Sequence, residues 1–230
     1  SYLKNDYNAL DLPFLFNDHD HVTRVLDGVI GDRLGEELAE TAEIRGLGFT
    51  YSGGYRVIGA NKEITKLNDL SQTTFLTTTG PSKFLFEELG VGPIDKVEAS
   101  PSDHGDIQSE GGAIETTYLR FTGKHILKTD HSMFLTTILT GTKFFNSLTA
   151  EQQEAFKVAA KTVAKVERIW SVDDAAKYEQ EAESKGITIV ELSAEDKQRL
   201  RRASKQSYKQ LMKMKINPVI VDSIIREGKK

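Results

Sequence analysis

The sequence predicts an α/β chain whose sheets are at least partly parallel. Three observations carry this. Short apolar, β-rich runs alternate with helical spacings as far as Thr142. One helical pattern then continues from Thr149 for roughly 35 residues, more than a single domain needs. A further strand-like run and two helices close the chain.

In order, Val22, Val25, Leu26, Val29, Ile30, Leu34 and Leu38 recur at spacings of three and four, which predicts an amphipathic helix. Gly28, Gly31 and Gly35 weaken its interior, so a break is expected near Gly28. The stretch from Leu47 to Ala60 reads as two short strands around a glycine turn. Then come a strand in "TTFLTTTGP", a tight Gly80-Pro81 turn, and a helix from Ser82 that Gly90 stops. "IDKVEA", "GGAIETTYLR", "KHILKT" and "SMFLTTILTG" read as strands. Thr149 with Gln152 three residues later is a capping-box signature. Phe156, Ala159, Ala160, Val163, Val166, Ile169 and Trp170 form the stripe of the long helix, which Gly186 stops. "ITIVEL" is a strand, Ser193 and Asp196 start a basic helix to Lys215, and Pro218 starts the last one.

Composition narrows little. Hydrophobic residues make up 38% and charged residues 28% of the 230, as in soluble globular proteins generally. The net charge of -4 offers no attraction to nucleic acid or anionic lipid. No apolar run approaches the roughly 18 residues that would span a bilayer. The chain has no cysteine, which removes disulfides and thiolate chemistry and fits cytoplasm or periplasm. No G-x-S-x-G, H-E-x-x-H or G-x-G-x-x-G occurs, so an enzyme is not expected.

The ordered motifs point to a family. "LPFLF-x-D-x-x-H-x-x-x-V-L-D-G" (Leu12 to Gly28), Gly54-Tyr55-Arg56, Ile64 to Leu70 and "HILKTDH" resemble the substrate-binding proteins of tripartite ATP-independent periplasmic (TRAP) transporters, the DctP-type family. "KFFNSLTAEQQEAFKVAA" and "SKGITIVELSAEDKQRLRRASKQSY" resemble it too, in the same order. The resemblance implies a two-lobe periplasmic-binding fold, class II-like, with a long helix bridging the lobes. Residues 1–75, with a return over about 190–230, would form lobe one. Residues 76–148 would form lobe two, and 149–185 the bridge. Members carry the first strand and helices of lobe one ahead of the LPFLF run, so lobe one is expected to be incomplete. Either that material is trimmed away, or a partner or second copy supplies it, or this chain does without it.

The same resemblance implies a periplasmic, non-enzymatic protein without cofactor or metal. It would capture a small organic acid between its lobes and deliver it to membrane permease subunits. The family's main carboxylate-binding arginine falls on Leu76 here. A carboxylate without that pair gives up about 1.5–3 kcal/mol. Arg56 matches the family's second basic pocket residue, and is the first candidate for ligand charge. Thr77, Thr79, Ser82, Thr116 and Thr117 are the hydrogen-bonding candidates. The alternative is a repurposed interaction module, whose exposed sheet edge a partner completes by strand addition.

Other patterns have plainer readings. Asp18-His19-Asp20-His21 suggests metal only weakly, because two histidines two apart diverge at a helix start. "TTTGPSKF" puts free amides at a strand-to-helix turn, fit for an anion or simply for a cap. Tyr51, Tyr55 and Tyr118 read as core, and the basic run Lys197 to Lys215 as a solvated face.

Overall fold

The structure, a computed structural model, describes residues 5–71, 74–77, 80–95, 108–110 and 124–230, with side chains for 6–51, 53–71, 80–92 and 124–230. A 3-10 turn (Asn5–Asp11) leads into α1 (His19–Leu26) and α2 (Val29–Ala42). Strands β1 (Ile44–Tyr55) and β2 (Ile58–Ala60) follow, then β3 (Thr74–Thr77), α3 (Gly80–Glu88), β4 (Gly92–Asp95) and β5 (Gln108–Glu110). Next are β6 (His125–Lys128), β7 (Met133–Gly141), α4 (Thr142–Ser147) and the long helix α5 (Ala150–Ser184). The chain ends with β8 (Thr188–Glu191), α6 (Ala194–Lys209) and α7 (Pro218–Glu227).

The strands form two sheets. β1 and β7 make an antiparallel pair, and the other six run in the order β4-β3-β5-β2-β6-β8. In the larger sheet β3 is parallel to β4 and β5, and β6 to β8, while β2 is antiparallel to both its neighbours. Each sheet has its own core. One core gathers Leu12, Val25, Leu34, Phe49, Met133 and Ile224. The other gathers Ile58, Leu67, Leu70, Phe86, Leu127 and Leu200. These are the two lobes. The packing divides the chain between Tyr55 and Ile58 and between Leu127 and Met133, not at 75 and 148, because Ile58, Ile64, Leu67 and Leu70 fill the second core and β7 pairs with β1. The return to lobe one comes after Ala203 rather than at about 190, because Leu192, Leu200 and Ala203 also fill the second core.

Local chemistry explains most helix limits. Asp18 caps α1 by accepting the His21 amide at 2.7 Å, and α2 begins after Gly28, where the break is expected. Thr149 and Gln152 make the reciprocal capping box of α5, and Gly186 ends it at φ 82°. Ser193 accepts the Asp196 amide at 3.1 Å, and Asn217 caps α7 ahead of Pro218. α6 stops at Lys209, six residues short of the expected end.

Two expectations change. The Leu47-to-Ala60 stretch is one long strand, interrupted by a bulge between Tyr51 and Gly54, and then a short one in the other lobe. Gly53 and Gly54 hold φ of 85° and 96° there, which suits glycine. Of the stripe on α5, Ala160 alone is buried, in a small cluster with Leu47 and Phe145. Ala160, Ala164 and Arg168 are the helix's buried face, whereas Phe156, Val163, Ile169 and Trp170 are exposed. Small residues let α5 and α2 approach β1 from opposite sides. A Cβ on Gly35 of α2 would lie 2.5 Å from the Gly46 carbonyl of β1.

Candidate functional site

Two passages of the chain between the lobes lie side by side, at Arg56–Val57 and at Thr129–Ser132; α5 and the link from Ala203 to Ile216 also pass between them. The crossings are tied together. The Arg56 amide donates to the Ser132 carbonyl at 2.8 Å. The Thr129 hydroxyl lies 3.4 Å from the Arg56 carbonyl and 2.8 Å from His131 Nδ1. The Phe14 amide, from the LPFLF run, donates to the His131 carbonyl at 2.6 Å. His131 is buried edge-on against Phe86, so this crossing is also packed into lobe two.

Arg56 projects from this junction and is buried, with 6% exposure. Its guanidinium lies over the Phe134 ring, 4.3 Å from the centroid, and 3.6 Å from the Asp11 carboxylate. A buried cation needs such partners, because desolvation without them is costly. Arg56 therefore stands at the interlobe junction beside Asp11. An organic acid arriving there would meet a fork suited to two parallel hydrogen bonds.

The other expected ligand residues are placed unevenly. Ser82 is fully buried in the first turn of α3, where α3 packs on α6 and Ser207 donates to the Pro81 carbonyl at 2.6 Å. Thr77 ends β3, and Leu76, in the family's arginine position, pairs along the backbone with Ile94 and Ser109. The side chains of both lie outside the described ones. Thr79, Thr116 and Thr117 lie outside the described residues, as does Tyr118.

His21 is a core residue: its ring accepts the Asn17 amide at Nδ1, 3.1 Å, and donates from Nε2 to the Ile224 carbonyl, 2.7 Å. His19 points elsewhere, between Tyr51 and Tyr55 at 5.1 and 5.6 Å, and burial lowers its pKa. Among the described residues no group of three His, Cys, Asp or Glu is placed to hold a metal ion. The basic run is not simply solvated. Arg201 lies over Phe14, Lys213 over Phe84, and Lys197 pairs with Glu191.

Behind the crossings, toward α5, lies a cavity of about 240 Å³ lined by Gly53, Tyr55, Val57, Lys128, Asp130 and Ala175 among others. Lys128 spans Glu179 at 3.1 Å and Glu191 at 2.5 Å. Burial alone would lower the Lys128 ammonium, but the two carboxylates outweigh it and hold it above the usual lysine range. The hydrogen bond from Lys128 in turn lowers Glu191, while burial raises Asp130. A larger cavity, about 660 Å³, is elsewhere, between α2 and α5 over Arg45 to Leu47. Its lining carries Asp32, Glu36, Glu37, Glu40 and Glu154, a poor setting for an anion.

Sequence reasoning missed Asp11, Phe134 and Lys128. Asp11 had a visible cue, standing directly before the LPFLF run; Phe134 and Lys128 had none beyond their strands.

Comparison with known proteins bears on the family and the fold. The profile of bacterial extracellular solute-binding protein family 7, DctP, matches residues 1–96 and 111–215. An uncharacterised protein of Haemophilus influenzae is 26% identical over 197 residues, covering 82% of this chain and 60% of the relative. A solute-binding protein of Sulfitobacter sp. is 26% identical over 202 residues, covering 82% and 59%. The chain thus spans about 60% of the length of these curated relatives. A TRAP periplasmic solute-binding protein from Shewanella oneidensis, solved with succinate, superposes at TM-score 0.83 and 21% identity over 99% of this chain and 76% of that one. One from Ochrobactrum anthropi, whose C-terminus occupies its ligand pocket, superposes at 0.79 and 26%, over 99% and 72%. These likenesses carry the two-lobe fold, and the periplasmic location expected of the chain goes with the family. With most of its length under the profile and both lobes in place, the chain belongs to the DctP family of bacterial extracellular solute-binding proteins.

Proposed function

We propose that this chain captures a small organic acid between its two lobes and presents it to the permease subunits of a TRAP-type transporter. The observation that carries the reading is Arg56, a buried guanidinium at the strand crossings where two separate cores meet. Support also comes from family membership and from neighbours solved with succinate, L-gulonate and β-D-galacturonate. Arg56 supplies the ligand charge, and Thr77, Thr79, Ser82, Thr116 and Thr117 the hydrogen bonds. With Leu76 in place of the family's main arginine, an acid is held by one fork rather than two. Binding, not catalysis, is the role; hinge closure traps the solute and forms the surface that the permease reads.

A thermal-shift series with succinate, L-gulonate and D-galacturonate tests this. A ligand at a hundred times its Kd adds about 2.7 kcal/mol of stability. The shift should shrink in Arg56→Lys, which keeps the charge but loses the planar fork. A chain that melts cooperatively and responds to none of a broad panel of acids would refute the reading.

A further inference from the structure

We propose that the 240 Å³ cavity behind the strand crossings is the clearance on which the lobes hinge, and that Ala175 and Ala176 of α5 keep it open. The proposal rests on the reading that the lobes close on a solute.

The geometry is that of a lever. Both crossings, Arg56–Val57 and Thr129–Ser132, run between the Arg56 junction and α5. The cavity lies on the α5 side, and its walls come from both lobes. Lobe one supplies His19, Gly53, Gly54 and Tyr55; Val57, Lys128 and Asp130 lead into lobe two. Rotation about an axis through the crossings that widens one side must narrow the other. Opening the cleft therefore compresses this cavity, and closing the cleft relaxes it.

α5 is built to be the fixed wall. Up to Ser171 it is anchored to lobe one: Glu167 accepts the Tyr51 amide at 2.8 Å, and Ser171 the Gly53 amide at 2.9 Å. Arg168 joins Asp27 at 2.6 Å and the Phe49 carbonyl at 2.5 Å. The next tie, Glu179 to Lys128, belongs to the strand that leaves lobe two. Between these ties the helix presents Val172, Ala175 and Ala176 to the cavity, small residues that leave the void. On the lobe-one wall Gly53 and Gly54 hold left-handed φ and carry no side chains, which leaves room for Val57, Lys128 and Asp130 on the wall that moves. Packed cores do not deform smoothly, so lobes can move only where such room exists.

Filling the void therefore opposes opening. The population shifts toward the closed form, and an acid no longer spends binding energy on closure, so its apparent Kd falls. The chain has no cysteine, so Glu40→Cys in lobe one and Glu87→Cys in lobe two give a unique spin-label pair for interlobe distances. Without ligand, Ala175→Leu should move the distance distribution toward shorter values, and Ala159→Leu, on the exposed face of α5, should not. Where succinate, L-gulonate or D-galacturonate binds, Ala175→Leu should tighten it about fivefold. Ala175→Val gives a smaller shift in the same direction and serves if the leucine variant does not fold. Distances that move while no acid binds either protein would leave the hinge standing and count against the solute reading. Acids that bind while neither valine nor leucine changes distance or affinity would overturn the hinge and leave the solute reading standing.

Discussion

Glu167, in the middle of the long helix, accepts the backbone amide of Tyr51, 116 residues earlier, at 2.8 Å. That amide sits where β1 bulges, and a bulge leaves backbone groups without ladder partners. Ser171, one turn on, does the same for Gly53. Glu167→Ala should strand a part-buried amide and lower unfolding free energy by about 1–3 kcal/mol in urea titrations. Glu167→Gln keeps an acceptor oxygen and should lose less. Equal losses in the two variants would show that the hydrogen bond is not what matters there.

Gly35 sets two effects against each other. In a helix interior alanine is better than glycine by about 1 kcal/mol. Here, however, a methyl group would sit 2.5 Å from the Gly46 carbonyl oxygen, and backbone cannot swing aside. Overpacking of this kind runs at about 1–3 kcal/mol, so Gly35→Ala should be net destabilising. A variant that melts above the parent would show that α2 and β1 are not in such close contact.

Arg168 is the buried charge that ties α5 to the start of lobe one, with 4% exposure. Arg168→Met would leave Asp27 and the Phe49 carbonyl without its hydrogen bonds, for a loss of about 3 kcal/mol. The double variant Arg168→Met with Asp27→Leu should recover part of it, because no charge is then left behind. A double-mutant cycle reads the coupling directly.

Asp130 gives a pH signature. Burial raises its folded pKa, so the ionised carboxylate is a burden on the native state above that pKa. The burden lifts as pH falls and is gone below the unfolded value, about 3.9. Asp130→Asn should therefore stabilise the chain at pH 7 and not at pH 3.5. Its left-handed φ of 47° also suits asparagine, but that gain does not change with pH. The contrast between the two pH values is the test, read as the difference in Tm between variant and parent.

Thr149→Ala removes one half of a capping box. It should cost about 1 kcal/mol, and Thr149→Ser should cost little, both read by chemical denaturation.

What the sequence by itself determined is what short-range chemistry controls. Caps at Thr149, Ser193 and Pro218, the break at Gly28 and the stop at Gly186 are hydrogen bonds and φ angles set within a few residues. The family motifs were legible for the same reason. Asp69, in the matched Ile64-to-Leu70 stretch, accepts the Thr65 and Lys66 amides of its own turn. Arg56 was legible through its motif, but its company was not: Asp11 and Phe134 reach it from 45 residues before and 78 after. Only the tertiary structure decided that β1 continues past the bulge at its glycines, because Glu167 and Ser171 satisfy the bulge from across the fold. It also decided which face of α5 is buried. Hydrophobic spacing pointed to Phe156, Val163 and Trp170 along with Ala160, yet close approach to a glycine-rich strand selects small side chains, and only Ala160 of that stripe, joined by Ala164, went inward.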